Sequence, residues 1–160
     1  MNIKQDKAQV IDGLKTFYEF EELKAFGSDL LRYYEARVEQ YSQRLDTMLR
    51  QQSNGKGVVN KPQSHISSGW IRVGTLVVNM SNPVQATTEL LFKLLEDAKA
   101  KLDATKSFLE SLESVLNIGA NKEVNYLLCV RNGVPEKIIL EERKRGKEFN
   151  YNVKLQVVSD

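Results

Sequence analysis

One histidine, one cysteine and a few clustered carboxylates are the side chains of this 160-residue sequence that catalysis could draw on. His65 lies in the run SNGKGVVNKPQSHISSG (53–69), beside Ser64, Ser67 and Ser68. A serine nucleophile needs a neighbouring base that a third group holds in place. No G-x-S-x-G elbow or other ordered triad surrounds these serines, and His65 has no partner at zinc-site spacing. It reads as a solvated loop residue. The single Cys129 excludes an intrachain disulfide framework and a multi-cysteine metal cluster, and reads as a buried thiol. The GKG at 55–57 lacks the longer spacing with which a phosphate loop cradles its ligand. Glu19, Glu21 and Glu22, or Glu96, Asp97 and Asp103, would suit acid–base work only in a pocket that separates their pKa values. They fall among lysines on helix surfaces and read as solvated faces. No catalytic, metal-binding or cofactor-binding residue is assigned, and the expectation is a protein that is not an enzyme.

The basic residues pose a second question. Residues 53–82 hold Lys56, Lys61 and Arg72 and no acid, while 143–147 read RKRGK, giving Arg143, Lys144, Arg145 and Lys147. Brought together, these cations would neutralise phosphates, with an affinity that grows with the number of contacts. Glu141, Glu142 and Glu148 dilute the second cluster, and a charged turn also keeps a sheet edge soluble. A net charge of +2 supplies no overall pull toward nucleic acid. A nucleic-acid module using loops 53–72 and 143–147 is therefore the alternative reading.

Two long segments must position everything else. Asn82 suits an N-cap, Pro83 a first helical position, and Gln85 the third residue of a capping box. From there Thr88, Leu91, Leu95, Ala98, Leu102, Thr105, Leu109, Leu112 and Leu116 recur at steps of three and four, ending at Gly119. A helix of that extent is about 54 Å long, too long for a small chain to surround, so it needs a partner helix. The segment 4–52 is the candidate. Its later half repeats the seam in Leu31, Tyr34, Val38, Tyr41, Leu45 and Met48. Its aromatic earlier half is read as helix too, with a kink or short break at Gly27-Ser28-Asp29.

Between the helices, residues 53–69 read as loop, and residues 71–80 as one covered strand that must join a sheet, since unpaired backbone groups are costly to bury. After Gly119 the period becomes two. Val124, Tyr126, Leu128 and Val130 mark a strand, Asn132-Gly133 a hairpin turn, KIILEE a return, and Phe149, Tyr151, Val153, Leu155 and Val157 a third strand. The expected fold class is α+β: two long coiled-coil-type helices joined by a loop and a strand (1–118), then a three-stranded antiparallel β-meander (119–160).

The run IRVGTLVVNM, entering a heptad-bearing helix, resembles β-type prefoldin subunits, where a V-G-x-L-V strand leads into the second coiled-coil helix; Val73, Gly74, Leu76 and Val77 match. The resemblance spans residues 71–116 and leaves the C-terminal strands unexplained. It implies an oligomeric holdase without a catalytic site, whose strands build the body of the assembly and whose helix tips hold unfolded clients. The residues themselves point to a homo- or hetero-oligomer joined through Leu91, Leu95, Leu102, Leu109, Leu112 and Leu116, through Leu31, Tyr34, Val38, Tyr41 and Leu45, and through Val73, Leu76 and Val78. With 41% apolar and 28% charged residues, a start without an apolar signal core, and no run of about 18 apolar residues, the expected setting is the cytoplasm and no membrane is expected as a partner.

Overall fold

The computed structural model of the chain describes residues 12–54, 69–120 and 122–143. It is an α+β fold whose elements run β1 (Gly13–Phe17), α1 (Phe20–Asn54), β2 (Trp70–Val73), β3 (Leu76–Asn79), α2 (Pro83–Ile118), β4 (Val124–Arg131) and β5 (Val134–Glu142). The strands form two antiparallel sheets, β1-β4-β5 and β2-β3.

α2 starts as its sequence dictates. The Asn82 side chain accepts the Gln85 backbone N–H at 3.3 Å and donates to the Gln85 side chain at 2.8 Å, with Pro83 in the first turn. The partner that so long a helix needs is α1 of the same chain. Leu45 packs with Leu91 and Leu95 toward one end, and Leu23 with Leu112 toward the other, so the two helices run antiparallel. Each buried leucine contributes about 1.5–3 kcal/mol. Thr88 and Thr105 are buried in the same seam, their hydroxyls donating to the Val84 and Lys101 carbonyls at 2.9 and 2.8 Å. Gln52 also donates to the Thr88 hydroxyl at 3.3 Å.

The short break expected at Gly27 is absent; α1 runs unbroken through it. A Cβ at this position would lie 2.6 Å from Leu109 Cδ2 and 2.9 Å from Phe108 Cε1. The missing side chain lets α2 close on α1, and the helix-weakening tendency of glycine yields to that contact.

The N-terminal half of the first segment departs further from expectation. Residues 1–11 lie outside the described residues, and Gly13–Phe17 is a strand where a helix was read. It pairs antiparallel with β4, from Gly13 opposite Val130 to Phe17 opposite Tyr126. β4 would otherwise expose a row of backbone donors and acceptors on that side, and GLKTF supplies their partners. Phe17 packs on Phe26 at 5.4 Å, and the Lys15 ammonium stands 5.1 Å from the Phe26 ring centre. The helix begins only at Phe20, with Glu22 accepting the Tyr18 N–H at 3.3 Å and Glu21 and Glu22 in the favourable first turn.

The same need adds a strand to the expected meander. β4 and β5 form the anticipated hairpin, and among the described residues β1 is the third strand of their sheet; the run 149–157, read as the last strand of the meander, lies outside the described residues. Val124, Tyr126, Leu128 and Val130 alternate inward and are all buried, forming one core with Leu23 and Leu112. The turn residues Asn132 and Gly133 both have positive φ, 54° and 75°, the geometry a two-residue hairpin favours. Two distant side chains hold this turn. The Asp12 carboxylate accepts the N–H groups of Asn132 and Gly133 at 2.9 and 2.8 Å, and Tyr34, on α1, donates its hydroxyl to the Gly133 carbonyl at 2.5 Å. Burial, reinforced by Tyr33, Asp97 and Asp12, pushes Tyr34 up to about 12, so it remains a protonated donor.

Replacing Gly27 with Val is expected to cost about 1–3 kcal/mol by overpacking the helix contact; thermal unfolding checks this, and an undiminished midpoint would place the helices farther apart. The amides of Gly133 and then Asn132 hold Asp12 below its ordinary value of 3.8. A depressed carboxyl adds stability that is present above the unfolded value and lost as pH falls through the folded one. Melting curves of Asp12→Asn should accordingly lie below those of the parent at neutral pH and converge with them in acid below 3.8; two parallel profiles would remove the turn contact from the pH response.

Candidate interaction surface

The residues with chemical potential are scattered. Cys129 is half-buried rather than buried, on the outer side of β4. Glu96, Asp97 and Asp103 are exposed, Asp97 pairing with Lys101 at 3.0 Å, and His65 lies outside the described residues. Among the described residues no three His, Cys, Asp or Glu side chains group as a metal site would.

The helix seam residues are largely engaged within the one chain. Leu91, Leu95, Leu112, Tyr34 and Leu45 are buried; Leu102, Leu109, Leu31, Val38 and Tyr41 are half-buried; Leu116 remains exposed. Leu30, not Leu31, is the leucine turned inward at its level, because counting from Leu23 through Gly27 and Tyr34 places 30 on the contact side.

Residues 71–80 differ most from their reading as one covered strand. They fold on themselves: Trp70 opposes Asn79, Ile71 opposes Val78, Arg72 opposes Val77, and Val73 opposes Leu76. Gly74, at φ 63°, makes the turn that a straight strand would not need. Directly opposed residues share a face, so Ile71, Val73, Leu76 and Val78 make one face and Trp70, Arg72, Val77 and Asn79 the other. The first face is wholly apolar, and its four residues are 37–68% exposed. The opposite face carries the hairpin's only charge, Arg72.

Exposed apolar residues continue beyond the hairpin. Met80 is 82% exposed, and Val84, Leu90 and Leu94 on the first turns of α2 are about half exposed. The seam spacing missed these. The doubled leucines Leu90-Leu91 and Leu94-Leu95 were the visible signal, since only one of each adjacent pair can face α1.

Two of the seven candidate phosphate contacts fall on described residues. Arg72 is exposed on the hairpin. Arg143 is half-buried, and its guanidinium donates to the Tyr18 carbonyl and, at 2.6 Å, to the Asn125 side chain. It thereby ties the end of β5 to the turn between β1 and α1. Since the hairpin precedes α2 and Asn125 follows it, the two arginines stand at opposite ends of a helix about 54 Å long. Lys56, Lys61, Lys144, Arg145 and Lys147 lie outside the described residues.

No helix among the described residues is long and apolar enough to cross a membrane. Compared with known proteins, the chain matches no family model, no curated protein and no solved structure.

Arg143→Ala is expected to lower stability by about 1–3 kcal/mol, the value of hydrogen bonds from a charged donor, with little effect on any salt-dependent binding to nucleic acid. Unchanged unfolding together with lost binding would return Arg143 to a phosphate-contacting role.

Proposed function

We propose that this chain is a non-catalytic interaction subunit, a rod of two paired helices that presents an adhesive hairpin at one end. The observation that carries the reading is the apolar face of Ile71, Val73, Leu76 and Val78, open to water, with Met80, Val84, Leu90 and Leu94 exposed as well further along the chain. A two-stranded hairpin is at best marginally stable by itself, and contiguous exposed apolar surface of this kind marks a contact site on soluble proteins. Binding to another protein covers the face and reinforces the hairpin in one step.

A holdase of prefoldin type is a specific form of this reading. The matching residues Val73, Gly74, Leu76 and Val77 all fall on the exposed hairpin, the part that in such an assembly builds its body and on which client holding by the whole depends. The nucleic-acid alternative rests on Arg72 and on residues outside the described structure, and Arg143 already serves the fold.

The test replaces Leu76, Met80 and Leu90 together with Lys. Because all three are exposed, each change should alter stability by no more than about 0.5 kcal/mol. The expected outcome is a folded protein that has lost self-association and any ability to keep a diluted, denatured client from aggregating without ATP. A triple variant that matches the parent in both solution mass and client protection would sink the proposal.

A further inference from the structure

The geometry points to β1 as a releasable strap: Gly13–Phe17 lifts off β4 as a unit when the ties at its two ends let go, while the helix pair and the β4-β5 hairpin stay folded. None of the strand's five residues is buried. Leu14 and Thr16 lie opposite Cys129 and Leu127 on the outer side of the sheet, and both are exposed. On the inner side Phe17, against Phe26, is the one apolar anchor. β4 by contrast buries Val124, Tyr126, Leu128 and Val130. A segment with so little buried apolar surface opens at a lower cost than the whole.

The strap is held at its ends. Asp12, just before it, accepts the N–H groups of Asn132 and Gly133, and the carbonyl of Tyr18, just after it, accepts the Arg143 guanidinium. Both ties carry a charged partner, which makes them stronger than neutral hydrogen bonds. Both reach the β4-β5 hairpin, one at its turn and one at its open end.

Each of those two points has a second tie that does not involve β1. Tyr34 donates to the Gly133 carbonyl from α1 at 2.5 Å. Arg143 keeps the Asn125 side chain at 2.6 Å and donates its backbone N–H to the Glu123 carbonyl at 2.8 Å. The departure of β1 therefore leaves the hairpin secured at both ends, with its buried residues still on Leu23 and Leu112. The strap swings on Tyr18 and Glu19, the residues between it and α1. Its release uncovers the β4 edge and the Phe26 ring.

Amide exchange, followed by NMR on the full chain over a series of denaturant concentrations below unfolding, tests the strap. The amides that join β1 to β4 are expected to exchange at least about tenfold faster than those joining β4 to β5. Their rates should depend little on denaturant, because little surface opens. Arg143→Ala should speed this group about tenfold or more, with the same weak dependence. A lock supplies the control. Leu14 is directly opposite Cys129, and such pairs hold their Cα atoms about 4.5–5.5 Å apart, within the span of a disulfide. In Leu14→Cys, oxidised glutathione should join the strands and slow the β1 group to the rate of the hairpin, and dithiothreitol should restore the difference.

A single exchange class with one denaturant dependence for β1, hairpin and helices overturns the strap. Unchanged rates in Arg143→Ala remove the tie at Tyr18 and overturn it too. So do locked strands whose β1 amides still exchange ahead of the hairpin, since their speed then comes from exposure and not from release. A folded variant in which the disulfide does not form would place residue 14 away from Cys129 and overturn the pairing on which the strap rests.

Discussion

The antiparallel contact between α1 and α2 is the constraint on which the rest of the structure depends. Neither helix, at about 52–54 Å, can bury its apolar stripe alone, and most helical stability in proteins comes from packing such a stripe. Gly27 admits Leu109 and Phe108 at one level. Thr88 and Thr105 are accepted in the seam because each hydroxyl returns its proton to the preceding turn. With the helices paired, their two ends are separate places. At one, Leu23 and Leu112 join the inner face of β4 in a closed core. At the other, the hairpin's apolar residues join neither buried cluster of the described residues.

That asymmetry gives the molecule a division of labour. The β1-β4-β5 sheet is tied down by side chains from remote parts of the chain: Asp12 and Tyr34 on the hairpin turn, and Arg143 across to Tyr18. Every one of these contacts serves the fold. The β2-β3 hairpin is attached through the entry to α2, where Asn79 accepts the Asn82 N–H at 3.1 Å, and its apolar face is exposed.

The helices and the β4-β5 hairpin were legible because the physics that forms them is local. The Asn82-Pro83 start, the alternation of steps of three and four, and the Asn132-Gly133 turn each declare themselves within a few residues. The failures came where a distant partner decided the outcome. GLKTF reads as the continuation of an aromatic helix until the open side of β4 is known to need it. Gly27 reads as a break until α2 is seen against it. The run 71–80 has strand character throughout, and the single Gly74 that folds it back was passed over as a strand residue. As for the candidate surface, Val73, Leu76 and Val78 read from sequence as members of one covered strand. Placing all of them on one face required the register.

The pairing of β1 with β4 also sets an order of events as the chain is made. Gly13–Phe17 is synthesised before both helices, and its partners, Tyr126 to Val130, after them. The loop to be closed includes both helices, so the entropic cost of this contact falls only once α1 and α2 have zipped and brought the two stretches near. On a ribosome β1 must therefore wait, its edge unsatisfied, until β4 has been made. The nascent protein thus passes through a stage in which the helical rod exists and the sheet beneath it does not.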